Sequence, residues 1–226
     1  MSFQVVKIEV NRNPFIGLYL TASDDAVLCS HFVPDNLLRL ISDVLKPSKI
    51  VPVSIADSHL TGIYTAMNSS GVALPGFTDD KTLHFLKREL GVNVCKIDDR
   101  FSAVRSNVLV NDSLCMVNAH MARAEHKKLA DCFDVEVIPI KFGRVSTIGA
   151  VNVVTNNGVL AYNDASENEL QLLSKAFKFK AIPATCNFGT PATSFGVVAN
   201  KNGALIGSNS TGFEAGLVYE ALSGEQ

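Results

Sequence analysis

The segment Ser146-Thr-Ile-Gly149-Ala-Val-Asn-Val-Val-Thr-Asn156-Asn-Gly158 decides the fold, because its pattern returns along the chain. In it a small residue opens an apolar strand, and the strand runs into a polar turn. The start of the pattern occurs in five copies, which are Gly17-Leu18-Tyr19, Gly62-Ile63-Tyr64, Ser106-Asn107-Val108, Gly149-Ala150-Val151 and Gly196-Val197-Val198. Successive copies lie 45, 44, 43 and 47 residues apart. A period of this length indicates a solenoid, a propeller or another array of like units.

Each apolar strand leads through a polar turn into a second apolar strand, which predicts a hairpin. The five turns are Ser23-Asp24-Asp25, Asn68-Ser69-Ser70-Gly71, Asn111-Asp112-Ser113, Asn156-Asn157-Gly158 and Asn200-Lys201-Asn202-Gly203. Asn, Asp and Gly tolerate the positive φ that tight hairpin turns demand, and three of the five turns carry Gly. We therefore expect positive φ at these turns.

A helix pattern follows each hairpin, and a further strand follows each of the first four helices. Asp35 and Thr78 precede apolar residues at helical spacing, as helix starts do. Ser166 with Glu169, and Thr211 with Glu214, have the spacing of a capping box. The third helix is expected at residues 122–133, and the closing strands at residues 49–53, 92–97, 135–140 and 179–182.

The N-terminal segment supplies the strand that the last copy lacks. Residues 3–10 resemble residues 92–98 and lead to Gly17 as that segment leads to Ser106. We therefore predict an α/β fold, a closed five-fold pseudosymmetric β/α propeller of ββαβ blades whose N-terminal strand completes the last blade and leaves no sheet edge open. The predicted single domain covers residues 1–226, with repeats at 17–61, 62–105, 106–148, 149–195 and 196–226 plus 1–16.

Composition and charge narrow the classes of function. Hydrophobic residues make up 47% of the 226 residues, which is ample for a core. No apolar run approaches the roughly 20 residues of a membrane helix, and residues 1–10 alternate like a strand, so we expect a soluble, cytoplasmic protein without a membrane partner. With 20 basic against 22 acidic residues, phosphate neutralisation is not expected to hold the chain on nucleic acid. Any RNA contact is expected at the rim of a protein contact.

Side chains with catalytic or metal-binding chemistry are scattered. The five cysteines form no Cys-x-x-Cys pair and are expected to be buried, reduced thiols. The five histidines offer no pair at ligand spacing on one helical face. We therefore predict no metal, no cofactor and no catalytic residue.

Five ββαβ units in a closed ring resemble the pentein architecture. One branch of it holds guanidine-modifying hydrolases and transferases, whose chemistry uses a Cys nucleophile near the C-terminus with a His and carboxylates. Here the residues from Phe195 onward contain neither Cys nor His, and the nearest thiol, Cys186, has no evident base. An enzyme of this branch is the alternative interpretation, while we predict that the chain is not an enzyme.

The other branch is the initiation factor six family, and the resemblance to it is specific and spans the chain. It rests on residues 146–158 as quoted above, on Phe101-Ser-Ala-Val-Arg-Ser-Asn107-Val-Leu-Val-Asn111-Asp112, and on Phe195-Gly-Val-Val-Ala-Asn200-Lys-Asn-Gly203-Ala-Leu-Ile-Gly207-Ser-Asn-Ser-Thr211-Gly212-Phe-Glu214. The chain departs from the family in the third copy, which has Ser106 before Asn107 and Ser113-Leu114 in the turn, where the family usually has Gly. The absence of a tail after the last helix resembles the archaeal members.

The resemblance implies a binding function. Family members sit on the joining face of the large ribosomal subunit, against the universal large-subunit protein fourteen and near the sarcin-ricin loop, and so block the small subunit. A monomer with this role in translation initiation or large-subunit biogenesis is expected here. The anchor positions Leu18, Ile63, Asn107, Ala150, Val151 and Val197 are the candidate contacts. Asn107 is favoured because packing does not demand a polar amide there, so we expect this amide to face outward. The open alternative is that these positions serve only strand starts.

Overall fold

The computed structural model of the chain describes residues 2–225, which form five three-stranded sheets, five helices of eleven residues and five short helical turns. The strands are β1 (Gln4–Ile8), β2 (Leu20–Ala22), β3 (Ala26–Cys29), β4 (Lys49–Pro52), β5 (Ala66–Met67), β6 (Gly71–Pro75), β7 (Asn93–Ile97), β8 (Val108–Val110), β9 (Leu114–Asn118), β10 (Glu136–Ile140), β11 (Val153–Val154), β12 (Val159–Tyr162), β13 (Ala181–Ala184), β14 (Val197–Asn200) and β15 (Gly203–Gly207). The long helices are Asp35–Leu45, Asp80–Leu90, Arg123–Phe133, Glu167–Phe177 and Gly212–Leu222. The short helical turns are Ile16–Leu18, Thr61–Tyr64, Val104–Asn107, Ile148–Val151 and Thr193–Gly196.

These elements repeat as five units, each with a short helical turn, an antiparallel hairpin, a long helix and a third strand. In unit one, β2 pairs antiparallel with β3, and β4 pairs parallel with β3 after the helix Asp35–Leu45. Units two, three and four repeat this order with β5 to β7, β8 to β10 and β11 to β13. The predicted ββαβ order is therefore confirmed.

Unit five takes its third strand from the other end of the chain. The strand β1 pairs parallel with β15 from Gln4 opposite Gly203 to Ile8 opposite Gly207, and β15 pairs antiparallel with β14. The ring of Phe3 packs edge-on against Tyr219 of the helix Gly212–Leu222, with 5.9 Å between the ring centroids. The prediction that the N-terminal strand completes the last unit is confirmed. Met1 and Gln226, which the predicted domain includes, lie outside the described residues.

The units contact one another in cyclic order. Among the first hairpin strands, β2 contacts β5, β5 contacts β8, β8 contacts β11, β11 contacts β14, and β14 contacts β2. The buried apolar side chains form five clusters, each drawn from two neighbouring units. Between units five and one, for example, Leu205 and Val198 lie with Leu20 and Val27. One unit therefore cannot bury its own apolar face, because part of each cluster belongs to its neighbour.

The repeat register differs from the one expected at two anchors. In every unit the first residue of the short helical turn lies seven residues before the first residue of the hairpin turn. The pairs are Ile16 and Ser23, Thr61 and Asn68, Val104 and Asn111, Ile148 and Thr155, and Thr193 and Asn200. The residues equivalent to Gly17 are therefore Gly62, Arg105, Gly149 and Ser194. The alignment was therefore wrong by one residue at Ser106 and by two residues at Gly196. The anchor residues also lie in short helical turns that precede the first strands, and not at the start of those strands.

The hairpin turns also form for a different reason from the one predicted. No residue of the five turns has positive φ within the described chain. Instead, a side chain at the first turn position accepts hydrogen bonds from the turn backbone, as when Asn68 Oδ1 accepts from Ser70 N at 3.0 Å and Gly71 N at 2.9 Å. Gly71 is needed for close approach, since a Cβ there would lie 2.1 Å from the carbonyl oxygen of Cys132 in the next unit.

The helix boundaries agree with the sequence patterns in most units. Both predicted capping boxes, Ser166 with Glu169 and Thr211 with Glu214, are present. The helix Asp80–Leu90 is capped by Asp79 and not by Thr78, because the Asp79 carboxylate accepts from Thr82 N at 2.9 Å. The fourth closing strand, Ala181–Ala184, begins two residues later than expected. None of the described helices is long and apolar enough to cross a membrane.

Candidate binding face

The short helical turns and the loops after the second and third strands of each unit lie at one edge of its sheet. The second and third strands are parallel, so both end at that edge, while the first strand begins there. In unit one, Ser30 N, just after β3, donates to the carbonyl oxygen of Tyr19 at 2.9 Å. Thr61 Oγ1, in the short turn of unit two, donates to the carbonyl oxygen of Val53, just after β4 of unit one. We call this surface the turn face, and the opposite one, formed by the five hairpin turns, the hairpin face.

The turns of neighbouring units approach one another closely, and this approach explains the anchor glycines. A Cβ on Gly17 would lie 1.9 Å from the carbonyl oxygen of Ser194, and one on Gly62 would lie 2.2 Å from that of Gly17. A Cβ on Gly149 would lie 2.0 Å from the carbonyl oxygen of Arg105. Each of these pairs joins two successive units. Glycine is therefore required at these three positions for close packing between successive units.

The six predicted contact residues lie in or beside these turns, but none of them is exposed. Leu18 and Ile63 are half-buried, whereas Ala150, Val151 and Val197 are buried. The corrected register gives Leu18, Ile63, Ser106, Ala150 and Phe195 as the equivalent residues that follow the anchor. Leu18, Ile63 and Phe195 are the partly accessible members of this set.

Asn107 is the predicted residue whose geometry differs most from expectation. It is 3% exposed, its Nδ2 donates to the carbonyl oxygen of Ala103 at 3.0 Å, and its Oδ1 accepts from Asn118 Nδ2 at 2.8 Å. The amide is thus occupied inside the unit, and the expectation that it faces outward was wrong. Asn152 makes the same kind of bond to the carbonyl oxygen of Ile148 at 2.8 Å, so both asparagines fix their own helical turn.

The most exposed large apolar side chains of the turn face were not predicted. Among the described residues, the exposed phenylalanines are Phe188 at 83%, Phe213 at 77%, Phe77 at 51% and Phe32 at 46%. Each lies in a loop after a second or third strand, or at the start of a long helix. Phe188 stands between Asn187 and Gly189 in a turn sequence, and an apolar ring in such a turn was the available signal.

Two of these rings are held beside a common carboxylate. Glu214 Oε2 accepts from Phe188 N at 3.2 Å, and Glu214 Oε1 accepts from Gly189 N at 2.9 Å. Phe213 directly precedes Glu214 at the start of the last helix. Because the buried carboxylate fixes both backbones, the two exposed rings are displayed on ordered backbone.

The remaining two rings pack against aromatic neighbours. The ring of Phe32 lies 3.5 Å from the ring of His59, centroid to centroid, and Phe77 packs edge-on against Tyr64 at 5.6 Å. The turn face therefore carries aromatic surface in units one and two as well as beside the junction of units four and five.

The hairpin face is polar by contrast. Asn156 Nδ2 donates to Asp24 Oδ2 at 2.7 Å and to Asp112 Oδ2 at 2.6 Å, which joins units four, one and three. Asp112 also accepts from Ser69 N and Ser69 Oγ, both at 2.8 Å. Charged and amide groups on this face thus satisfy one another inside the molecule.

Cys186 is the thiol that the alternative enzyme interpretation would use as a nucleophile, and its environment does not suit that role. Cys186 is buried, and burial raises the pKa of its thiol to about 12. Its Sγ lies 3.8 Å from the carbonyl oxygen of Thr190. Since the thiolate is the reactive form, this environment disfavours covalent catalysis by Cys186.

Comparison with known proteins shows that the chain is similar in sequence to translation initiation factors. The chain is 31% identical over 225 residues to translation initiation factor 6 of Thermococcus onnurineus, covering 96% of this chain and 97% of the relative. It is 28% identical over 221 residues to the factor of the same name from Picrophilus torridus, covering 97% and 100%. The model of the eIF-6 family matches residues 5–221, and the chain belongs to that family.

Proposed function

We propose that this protein binds the joining face of the large ribosomal subunit and prevents its association with the small subunit, in translation initiation, large-subunit biogenesis or both. The observation that carries the proposal is the match to the eIF-6 family over nearly the whole chain. Because the match covers all five units, the proposal concerns the assembled molecule and not one motif.

The shape suited to this role is a rigid disc. We infer that the five units form one domain, a closed propeller with five-fold pseudosymmetry. The cyclic contacts of the first hairpin strands and the pairing of β1 with β15 support this inference. A blocking protein needs bulk and a preorganised surface, since ordering a mobile surface on binding would cost affinity.

The turn face is the proposed contact with the ribosome. Phe188 and Phe213 offer exposed rings on ordered backbone, and aromatic residues, phenylalanine among them, are enriched in the buried cores of protein interfaces. Leu18 and Ile63 lie at the base of the same face. In this arrangement Asn107, Ala150, Val151 and Val197 support the surface from below. The expected occupant is the universal large-subunit protein fourteen, with ribosomal RNA near the sarcin-ricin loop at the rim.

The proposal describes a binding protein without catalysis. The buried thiol of Cys186 supports this, as do the polar groups of the hairpin face, which are satisfied by one another. A monomer acting in the cytoplasm, without a cofactor or a membrane partner, is part of the same proposal.

Sedimentation with purified ribosomal subunits tests the proposal. The protein should migrate with the large subunit alone, and light scattering should show slower association of the two subunits in its presence. Replacing Phe188 and Phe213 together by Ser should weaken large-subunit binding at least 30-fold, because a single hot-spot residue already contributes about 2 kcal/mol or more.

Leu172→Ser provides the matched control, because Leu172 is an exposed apolar residue in the middle of the helix Glu167–Phe177, away from the turn face. Its binding should equal that of the unaltered protein, and circular dichroism should show that all variants are folded. Absence of co-migration by the unaltered protein would contradict ribosome binding. Unchanged binding by the double variant would exclude the turn face as the contact.

A further inference from the structure

Cys95 and Cys132 bring two thiols together at the junction of units two and three. Cys95 lies in β7, the outer strand of its sheet, and Cys132 lies near the end of the long helix of unit three. The two thiols are hydrogen-bonded to each other, and Cys132 Sγ also accepts from the backbone N–H of Cys95. The Cys132 sulfur therefore lies against the residue that carries the other sulfur.

The long helix of unit three is held along β7 on both sides of Cys95. On one side, Asn93 Nδ2 donates to the carbonyl oxygen of Cys132 at 3.2 Å. On the other side, Glu125 Oε2 accepts from Asp98 N at 3.1 Å. Glu125 and Cys132 are seven residues apart, about two helical turns, and so lie on one face of the helix. Because both ends of this face are bonded to the strand, Cys132 is kept in place beside Cys95.

This position suits a disulfide between the two residues. A disulfide requires Cα atoms about 4.4 to 6.8 Å apart and side chains that point toward each other. Cys132 Sγ lies 3.4 Å from the carbonyl oxygen of Val72 and 3.9 Å from that of Asn93, so it already contacts the backbone of β6 and β7. Closing the bond to Cys95 therefore calls mainly for rotation of the two side chains.

Exposure and acidity separate this pair from the remaining cysteines. Cys95 is partly exposed, so a small reagent reaches it from solvent. The hydrogen bond between the two thiols lowers the pKa of Cys132 and raises that of Cys95, which places the first negative charge of the pair on Cys132. The other thiols are buried, and burial raises the pKa of each; they are those of Cys29, Cys115 and Cys186. Since the thiolate is the reactive form, oxidation is favoured at the pair.

We propose that Cys95 and Cys132 form a reversible disulfide when the protein meets hydrogen peroxide, and that this bond ties unit two to unit three. The site is a redox modification site, in which Cys95 meets the oxidant and Cys132 is the resolving cysteine. This inference does not depend on ribosome binding.

The reaction proceeds in two steps. First, the Cys95 sulfur attacks one oxygen of the peroxide, the O–O bond breaks, and the Cys95 proton passes to the Cys132 thiolate, which leaves a Cys95 sulfenic acid and hydroxide. The hydroxide then takes the proton from Cys132 and becomes water. In the second step the Cys132 sulfur attacks the sulfenic sulfur, the S–S bond forms, the S–O bond breaks, and hydroxide leaves. This hydroxide takes up the proton released when Cys132 first ionised, so two thiols lose two electrons and one peroxide becomes two water molecules.

Thiol counting on the unaltered protein tests the proposal. The folded protein is treated with hydrogen peroxide, the excess is removed with catalase, and the thiols are titrated with Ellman's reagent in guanidinium chloride. The count should fall from five to three, and dithiothreitol should restore five. After digestion with trypsin without reduction, mass spectrometry should show residues 89–96 joined to residues 129–141.

The bond should also raise stability, because it closes residues 95–132 into a loop in the unfolded chain. The oxidised protein should melt about 8 to 15 °C above the reduced protein. Cys95→Ser should retain its four thiols under the same treatment and show no such rise. Cys186→Ala provides the matched control, since it also starts with four thiols but should fall to two.

The main measurements use the unaltered protein and do not depend on the folding of any variant. Three results would overturn the proposal. The first is a count that stays at five after peroxide treatment. The second is oxidation of Cys95 to sulfinic or sulfonic acid without a linked peptide. The third is a disulfide from Cys95 or Cys132 to Cys115 in place of the bond between them.

Discussion

Asn200 joins unit five to unit one, and its replacement tests the cyclic arrangement directly. Its Nδ2 donates to the carbonyl oxygens of Ser23 at 3.1 Å and Leu45 at 2.8 Å, and its Oδ1 accepts from Asn202 N at 2.9 Å. The carbonyl oxygen of Leu45 also accepts from Asn202 Nδ2 at 3.0 Å, so it keeps one hydrogen bond when Asn200 is replaced. Asn200→Ala should lower the free energy of unfolding by about 2 to 4 kcal/mol, because Ser23 O and Asn202 N lose these bonds at a buried site.

The equivalent residues of two other units provide the comparison. Asn68 donates to the carbonyl oxygens of Asn111 at 3.3 Å and Phe133 at 2.9 Å, so Asn68→Ala should cost about as much as Asn200→Ala. Thr155 occupies the same position in unit four, but its Oγ1 only accepts from Asn157 N at 3.2 Å within its own turn. Thr155→Ala should therefore cost about 1 kcal/mol.

Urea denaturation followed by circular dichroism measures these differences, and thermal denaturation checks them. For a domain of this size each kcal/mol corresponds to about 2 to 4 °C, so Asn200→Ala should melt about 4 to 16 °C below the unaltered protein. Asn200→Asp should be less stable than Asn200→Ala at neutral pH, because a carboxylate would face two carbonyl oxygens. Should Asn200→Ala be no less stable than Thr155→Ala, the junction of units five and one would not depend on this side chain, and the reasoning would fail.

Four further predictions concern single features. Deleting residues 2–10 removes β1 and should give insoluble protein or a large drop in melting temperature; a truncated protein that melts normally would contradict the closure of unit five by β1. Cys186→Ala should leave large-subunit sedimentation unchanged and cost about 1 kcal/mol of stability, and loss of function in a folded variant would favour the enzyme alternative. Asn107→Ala should lower stability by about 1 to 3 kcal/mol in denaturation, because Asn118 and Ala103 lose their bonds; an unchanged stability with weakened ribosome binding would restore an outward role. For Glu214, burial raises the pKa, but hydrogen bonds from Thr211, Gly189, Thr185 and Phe188 outweigh this effect and lower the pKa below its usual value. The ionised carboxylate therefore stabilises the fold above the unfolded-state pKa, and this stabilisation is lost as the pH falls through the folded-state pKa. Between about pH 5 and pH 3 the melting temperature should fall more steeply for the unaltered protein than for Glu214→Gln, and parallel curves would contradict this.

The repeated unit was predictable because each copy carries the same order of strand, turn, strand and helix signals. The register of two copies was not, because Arg105 and Ser194 occupy the position where the other three units have Gly. An alignment based on small residues then moves to the nearest one, Ser106 or Gly196. The hydrogen bonds of the hairpins, which fix the true register, are not visible in the residue types.

The candidate site was less predictable than the fold. Asn107 was expected to face outward because the positions aligned with it in the other copies are apolar, but its partner Asn118 lies across the hairpin, where only the strand pairing brings the two together. Phe188 and Phe213 were not predicted as surface contacts, because a phenylalanine is normally expected in the core. Exposure depends on how loops from different units end, which a periodic pattern does not specify.

The pairing of β1 with β15 also sets the order in which the molecule can be built. Gln4 and Gly203 are 199 residues apart, and at about 5 to 20 residues per second β1 is synthesised roughly 10 to 40 s before its partner. During that time the first strand has no sheet to join, and the apolar clusters on both sides of unit five stay incomplete. Such distant pairing slows folding, because the chain entropy of closure is lost before the contacts form. A circular permutant opened at the hairpin turn of another unit would keep the three-stranded sheet of every unit but move this delayed step to that unit.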